Sequence, residues 1–482
     1  MAGFVAVACT GSASTSTTTS SSSTTTTLPP TTTTTLPDCT PNEPPPPEAV
    51  EAVSAVEVSL DLSRLRFGCA NEAIVTADTL AAIRAGAALG VERSVPVLVN
   101  GPGVADELAR LAVREVTWVG LAPAPDFGVA TEVLGPGDVT ADLPSGGGSS
   151  AAWIVDGDPD AVPLLEAIAA VRGETVFDAT AVEDLRKLDA DTVALLRSTP
   201  VVPVGFSEPR MAHLEIILMA TELPGGGFTF DGKRLVAFYG NHTTRLLGVL
   251  GEQEPAETLE RLRPLVDEYS ADGLQGIPTF EIIATVASAR AGGDNDYSDE
   301  ASVASLRPWI DFAAENGVYV VLDLQPGRTD FLTQAQRYEE LLRLPHVGLA
   351  LDPEWRLKPD QVHLRQIGTV DAAEINQVSE WLAEIVREER LPQKFFMIHQ
   401  FRFSMITNRD QIQTPPELFT VIQMDGQGPL PTKYETYSAI TAGQEDVGWA
   451  WGWKNFYDED SPMATPEQVL ALDPVPVFVS FQ

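Results

Sequence analysis

The sequence predicts an α/β protein in two globular parts: a small N-terminal domain of parallel βαβ order, then a C-terminal (β/α)8 barrel of the TIM type. Three observations predict it. Beyond residue 233, eight apolar runs alternate with amphipathic segments to the last residues of the chain. In those segments the apolar residues recur every three or four positions, the period of a helix with one buried face. The runs also begin in apolar residues and finish in polar ones, the asymmetry of a barrel whose functional rim lies at the C-terminal ends of its strands.

Taken in order, the runs are LVAFYGNH (235–242), PTFEIIATVAS (278–288), VYVVLDLQPG (318–327), VGLALDPEW (347–355), FFMIHQF (395–401), FTVIQMDGQG (419–428), DVGWAWGW (446–453) and VPVFVSFQ (475–482). Most are rich in β-branched and aromatic residues, which favours strands. The helices between them are expected in AETLERLRPLVDEYSA, ASVASLRPWIDFAAEN, LTQAQRYEELLRL and EINQVSEWLAEIVREER, with shorter ones over 433–441 and 466–471. The eighth run should pair with the first and close the barrel.

Ahead of the barrel, Ile74–Thr76, Pro96–Val99 and Val116–Val119 read as short strands, with helices over Thr79–Leu89 and Val104–Leu111. A second strand-helix-strand-helix-strand unit follows over 152–206. No glycine-rich phosphate loop follows the first strand, so a nucleotide site is not supported. The turn-rich ATELPGGGFTFDGKR (220–234) marks the boundary between a first domain, 55–230, and the barrel, 233–482.

The first unit carries Asp78-Thr79-Leu80, Ala88-Leu89-Gly90, Pro96-Val97-Leu98-Val99 and Val116-Thr117-Trp118-Val119-Gly120. In this order they resemble a cell wall-binding repeat of type 2, and the second unit resembles a degenerate copy. The resemblance implies attachment to a cell-wall polymer. At the N-terminus, GFVAVAC (3–9) resembles the lipobox of bacterial lipoproteins, with Cys9 as the lipidated residue. The basic segment that normally precedes it is missing, so residues 1–9 are expected to be a truncated signal. Residues 10–54 form a Thr/Ser/Pro-rich stretch that cannot bury a core and reads as an extended stalk. The whole resembles actinobacterial cell-envelope lipoproteins that join such a domain to a barrel. This implies an extracytoplasmic protein held to a membrane by a lipid anchor.

Charge fits that setting. The chain of 482 residues is 44% hydrophobic and carries a net charge of −37, spread along its length. It can build ordinary cores, but it would repel nucleic acid and anionic membrane surfaces, which excludes phosphate-neutralising DNA binding. Its three cysteines, Cys9, Cys39 and Cys69, form no zinc motif. Cys39 and Cys69 are able to pair in an oxidising compartment, though two cysteines do not decide it.

The candidate site follows from strand parity. Side chains two apart on a strand share a face. In strand 4, Gly348, Ala350, Asp352 and Glu354 then look into the barrel while Val347, Leu349 and Leu351 pack on the helices. Asp323 at the end of strand 3 and Asp425 at the end of strand 6 join them. Clustered carboxylates suit glycoside hydrolysis: one must stay protonated to donate to the leaving oxygen, another ionised as nucleophile, base or stabiliser. The expected substrate contacts are His242, Gln325, Trp355, His399, Gln400, Arg402, Gln423, Trp449, Trp451 and Lys454, the tryptophans as flat surfaces for sugar rings.

Asp352-Pro353-Glu354 is similar to the Asp-x-Glu that ends strand 4 in family 25 lysozymes and chitinase-like barrels, which implies Glu354 as general acid. Gly348 and Ala350 stand where the chitinase signature has acids, which argues against a substrate-assisted mechanism. Strand 1 offers Asn241-His242 in place of the lysozyme aspartate. Two readings follow. The barrel hydrolyses a wall or extracellular glycan, or it is a noncatalytic glycan-binding surface on a degenerate hydrolase barrel. No cofactor or metal is expected; a metal held by His242 and His399 is the third, weaker reading. Glu281 lies within strand 2 and either faces the barrel or is buried by hydrogen bonds, and the acidic loop GGDNDYSDE (292–300) lacks the EF-hand spacing.

Overall fold

The computed structural model describes residues 54–141, 151–172, 174–444 and 447–482. Cys9, Cys39 and the tract Thr10–Glu48 lie outside the described residues. Cys69 is disulfide-bonded. No helix among the described residues is long and apolar enough to cross a membrane.

Eight parallel strands close into a barrel: β1 (Lys233–Gly240), β2 (Gln275–Ala287), β3 (Tyr319–Leu324), β4 (Val347–Leu351), β5 (Lys394–His399), β6 (Leu418–Met424), β7 (Ala450–Asn455) and β8 (Phe478–Phe481). Each pairs with the next. The ring closes where Phe478–Phe481 of β8 runs beside Leu235–Phe238 of β1. A short antiparallel strand, Ser298–Glu300, extends the upper end of β2.

Helices return the chain over Pro255–Glu268, Val303–Asn316, Ala372–Glu389, Leu430–Thr441 and Pro466–Leu470. Their ends follow capping chemistry. Ser302 accepts the Ser305 amide at one start, Gly317 ends that helix at φ 66°, and Pro255 opens another. Two short helices, Phe331–Gln336 and Glu339–Leu342, replace the single helix expected after β3. Between β5 and β6 the connection is made by single 3-10 turns, Phe403–Met405 and Arg409–Gln411.

Two apolar layers result. Val347, Leu349 and Leu351 belong to the large outer core between barrel and helices. Ala350 belongs to the inner one, with Tyr319, Val321, Phe395, Met397, Val421 and Phe478. Gly348 lies on the same inner face. A Cβ there would stand 2.5 Å from the Phe395 carbonyl oxygen, so no larger residue fits.

Phe230 closes the bottom of the barrel. Its ring lies 5.2 Å from Tyr319, 5.7 Å from Phe395 and 5.4 Å from Phe419, centroid to centroid. The stretch read from sequence as a domain boundary therefore supplies the barrel's floor.

The N-terminal region holds two small parallel sheets. One has the order 97–99, 72–76, 115–119, 130–134, and the other 175–178, 152–155, 201–204. Ala130–Leu134 is a strand that the sequence reading did not include. Ile83 and Ala87 of the first unit share a core with Leu164 and Leu165 of the second. This region meets the barrel near its floor, where Arg186 donates to the Pro416 carbonyl at 3.2 Å and Arg390 pairs with Glu215 at 2.6 Å.

Candidate active site in the barrel mouth

At the C-terminal ends of the strands the inner face turns from apolar to acidic. Glu281, Asp323, Asp352, His399, Gln400 and Gln423 are all buried. Above them opens a cavity of about 540 Å³, lined by Tyr239, Gln325, Asp352, Glu354, Trp355, Arg402, Asp425, Lys433 and Lys454 among others.

His399 is the hub. Its Nδ1 lies 3.1 Å from Asp425 Oδ2, and its Nε2 lies 3.2 Å from Glu281 Oε1 and 3.6 Å from Asp323 Oδ1. Both ring nitrogens thus face carboxylates, the setting of an imidazolium. Burial alone pushes its pKa down, but hydrogen bonds to Asp425 and Glu281 and the charges of Asp425 and Asp323 outweigh it and hold the pKa well above the usual value.

Asp323 also accepts the Tyr239 hydroxyl at 3.1 Å. That hydroxyl accepts in turn from Gln325 Nε2 at 3.1 Å, and Gln325 Oε1 accepts the Ala287 amide at 2.9 Å. Lys454 Nζ stands 3.3 Å from the centre of the Tyr239 ring, a cation over an aromatic face.

Strand β4 stops at Leu351, and Pro353–Trp355 form a single 3-10 turn. Period-two parity therefore carries as far as Asp352 and does not place Glu354. The turn does, by folding Glu354 back over the cavity beside Asp352. One oxygen each of Asp352, Glu354 and Asp425 lies within 4.8 Å of the other two. Burial, then the charge of Asp425, lifts the Glu354 carboxyl to about 8, against the opposing pull of Lys454 and His399. Burial and the Glu354 charge raise Asp352 well above the carboxylate range. Burial, partly offset by His399, brings Asp323 to about 6.

Not every expected contact reaches the cavity. Trp449 and Trp451 lie in the outer core, against the helices, as does Trp453. Alternation puts Gly452 and Lys454 on the inner face, so the three indoles face outward together and offer no sugar platform. Arg409 stacks over Trp449 and Trp451 at 5.6 and 5.2 Å.

His242 is half-buried, has no partner for either ring nitrogen among the described residues, and is absent from the cavity wall. Its pairing with His399 at a metal is not supported, because the neighbours of His399 are carboxylates. Gln423 lies deeper, its Nε2 donating to Ser480 Oγ at 2.7 Å. Gln400 Nε2 donates to the Arg402 carbonyl at 3.2 Å. Gln325, Trp355, Arg402 and Lys454 do line the cavity.

Tyr239 is the residue missed. In phase with Leu235 and Ala237 on β1, it could have been found by the parity count used for β4. In the loop 292–300, Asp294, Asp296 and Glu300 also cluster. There Asp296 is engaged by the Ser298 amide and Thr329 Oγ1, and Glu300 by Arg337.

Compared with protein-family models and with curated proteins, the chain matches none of them. The functional reading therefore rests on the chemistry of this cavity.

Proposed function

We propose that the barrel hydrolyses a glycosidic bond in a wall or extracellular glycan by carboxylate acid–base chemistry. One observation carries the reading: Glu354, with a pKa raised to about 8, shares the cavity wall with Asp352 and Asp425. A carboxyl that keeps its proton at neutral pH is what a leaving oxygen needs. Asp425 is the nucleophile or base, its Oδ2 fixed by His399 Nδ1 at 3.1 Å. Burial and the nearby charge of Asp425 raise the Glu354 proton affinity, Asp352 shares the cavity wall with it, and Asp323, held deeper by Tyr239 and His399, stabilises positive charge in the transition state.

The closest oxygens of the group lie within 4.8 Å. Trp355 and Arg402 at the cavity wall are the proposed sugar contacts. In this reading the N-terminal domain docks on the wall polymer, Cys9 carries the lipid, and the protein works outside the cytoplasm.

The test is release of reducing ends from purified peptidoglycan and wall polysaccharide. Glu354→Gln is expected to cut turnover by roughly 10²- to 10⁴-fold with the thermal unfolding transition retained. Undiminished turnover in that variant would remove Glu354 from its role. Glycan binding by the wild type without any product would select a noncatalytic binding barrel instead.

A further inference from the structure

Asp352, Glu354 and Asp425 bring one oxygen each within 4.8 Å of the other two, close enough for one ion to touch all three. Asp352 is 2% exposed, lines the cavity, and has Oδ1 buried without a hydrogen-bond partner among the described residues. Asp425 is 8% exposed; His399 takes its Oδ2, and its Oδ1 is likewise unpartnered. A buried carboxylate oxygen without a donor is costly, and such atoms usually mark a missing partner.

The surrounding charge points to what that partner is. Five carboxylates converge here, from Glu281, Asp323, Asp352, Glu354 and Asp425, against the cations His399 and Lys454. Lys433 is already engaged by Asp460 and the Lys454 carbonyl, and Arg402 is exposed at the rim. The free donor atoms are all carboxylate oxygens, because both nitrogens of His399 face acids. Oxygen-only sets select hard cations such as Ca²⁺, Mg²⁺ and Mn²⁺, and the open cavity leaves room for water at the remaining positions.

We propose that Asp352, Glu354 and Asp425 form a binding site for a hard divalent cation in the barrel mouth. The site stands whether or not the barrel cleaves a glycan. If it does, a bound cation takes the Glu354 oxygen that must carry the proton, so the cation is an inhibitor of turnover.

The test is calorimetric titration of the full chain with Ca²⁺ and with Mn²⁺, on the wild type and on Asp352→Asn, Asp425→Asn and the double variant Asp294→Asn/Asp296→Asn, each checked by its melting transition. One saturable site is expected in the wild type and in the loop double variant. It should weaken roughly tenfold to a hundredfold or more in either mouth variant, since even outer partners of a metal site are worth that much. No saturable site, wild-type affinity in both mouth variants, or loss of binding in the loop variant instead would overturn the proposal. A chain that binds the cation but cleaves no glycan retires the hydrolase reading alone; one that cleaves glycan but binds no cation retires the cation site alone.

Discussion

The two ends of the barrel solve the same problem differently. At the bottom, buried cations meet their acceptors. Arg234 donates to Asp272 through both terminal nitrogens at 2.7 Å and to the carbonyls of Tyr269 and Pro476. Lys394, wholly buried, donates to the Leu344 and Val347 carbonyls at 3.0 and 2.7 Å. Phe230 then closes the floor with an aromatic cluster. At the top, acids outnumber their donors, and oxygens of Asp352 and Asp425 are left without hydrogen bonds among the described residues. A fold gains nothing in stability from such atoms. The bottom is built to hold the barrel together, whereas the top leaves buried acceptor oxygens that the fold itself does not use.

The largest expected effect that separates the two ends is Phe230→Ala. Emptying a fully packed aromatic site costs about 3–5 kcal/mol, read by urea unfolding. The variant should keep whatever ligand chemistry the mouth has, because the Phe230 ring packs on Tyr319, Phe395 and Phe419 at the opposite end of the barrel. A loss of glycan turnover at temperatures where the variant is folded would break the comparison, since it would make the floor part of the site.

Asp352→Asn is the matching change at the top, and a smaller effect of opposite character is expected. The amide keeps the shape and removes a buried carboxyl that resists ionisation. Stability near neutral pH should change by no more than about 1 kcal/mol or rise, as when an ill-compensated buried charge is replaced. A loss as large as that of Phe230→Ala would show that Asp352 holds the fold rather than serving a ligand.

The barrel was legible because eight runs carry a strand period and the intervening segments a helix period. Register did most of the rest. Counting by two from Gly348 and Ala350 put Asp352 in the mouth. The same count fails where the backbone leaves the strand, and Glu354 reaches the cavity through a 3-10 turn instead. Parity also says only that Trp449, Trp451 and Trp453 share a face, and the sequence offers sugar stacking and core packing equally to three indoles. Gly452 and Lys454 on the alternate positions decide it for the core. His399 was placed at the rim, but its role as hub was not legible, since its partners come from three other strands. Phe230 sits in a glycine-rich turn whose local pattern gives no sign that it plugs a barrel formed by the residues after it.

The comparison is sharpened most by the response to pH. At the top, the folded-state values lie above the ordinary ones: Glu354 near 8 against 4.5, and Asp323 near 6 against 3.8. Between those limits the folded protein holds more protons than the unfolded chain, so stability falls as pH rises from about 4 to about 8. His399 acts in the same direction, its contribution being complete below its ordinary 6.5 and lost as pH climbs through its raised value. At the bottom the sign reverses. Burial depresses Lys394 to about 7 against 10.5, so the folded protein holds fewer protons there and stability grows as pH rises through that window. Melting temperatures measured across pH should therefore fall less steeply between about pH 5 and pH 8 in Glu354→Gln. In Lys394→Met the contribution that rises above about pH 7 should disappear. A Glu354→Gln protein with the wild-type slope would mean that this carboxyl ionises freely in the fold, and the acid at the centre of the proposed chemistry would lose its physical basis.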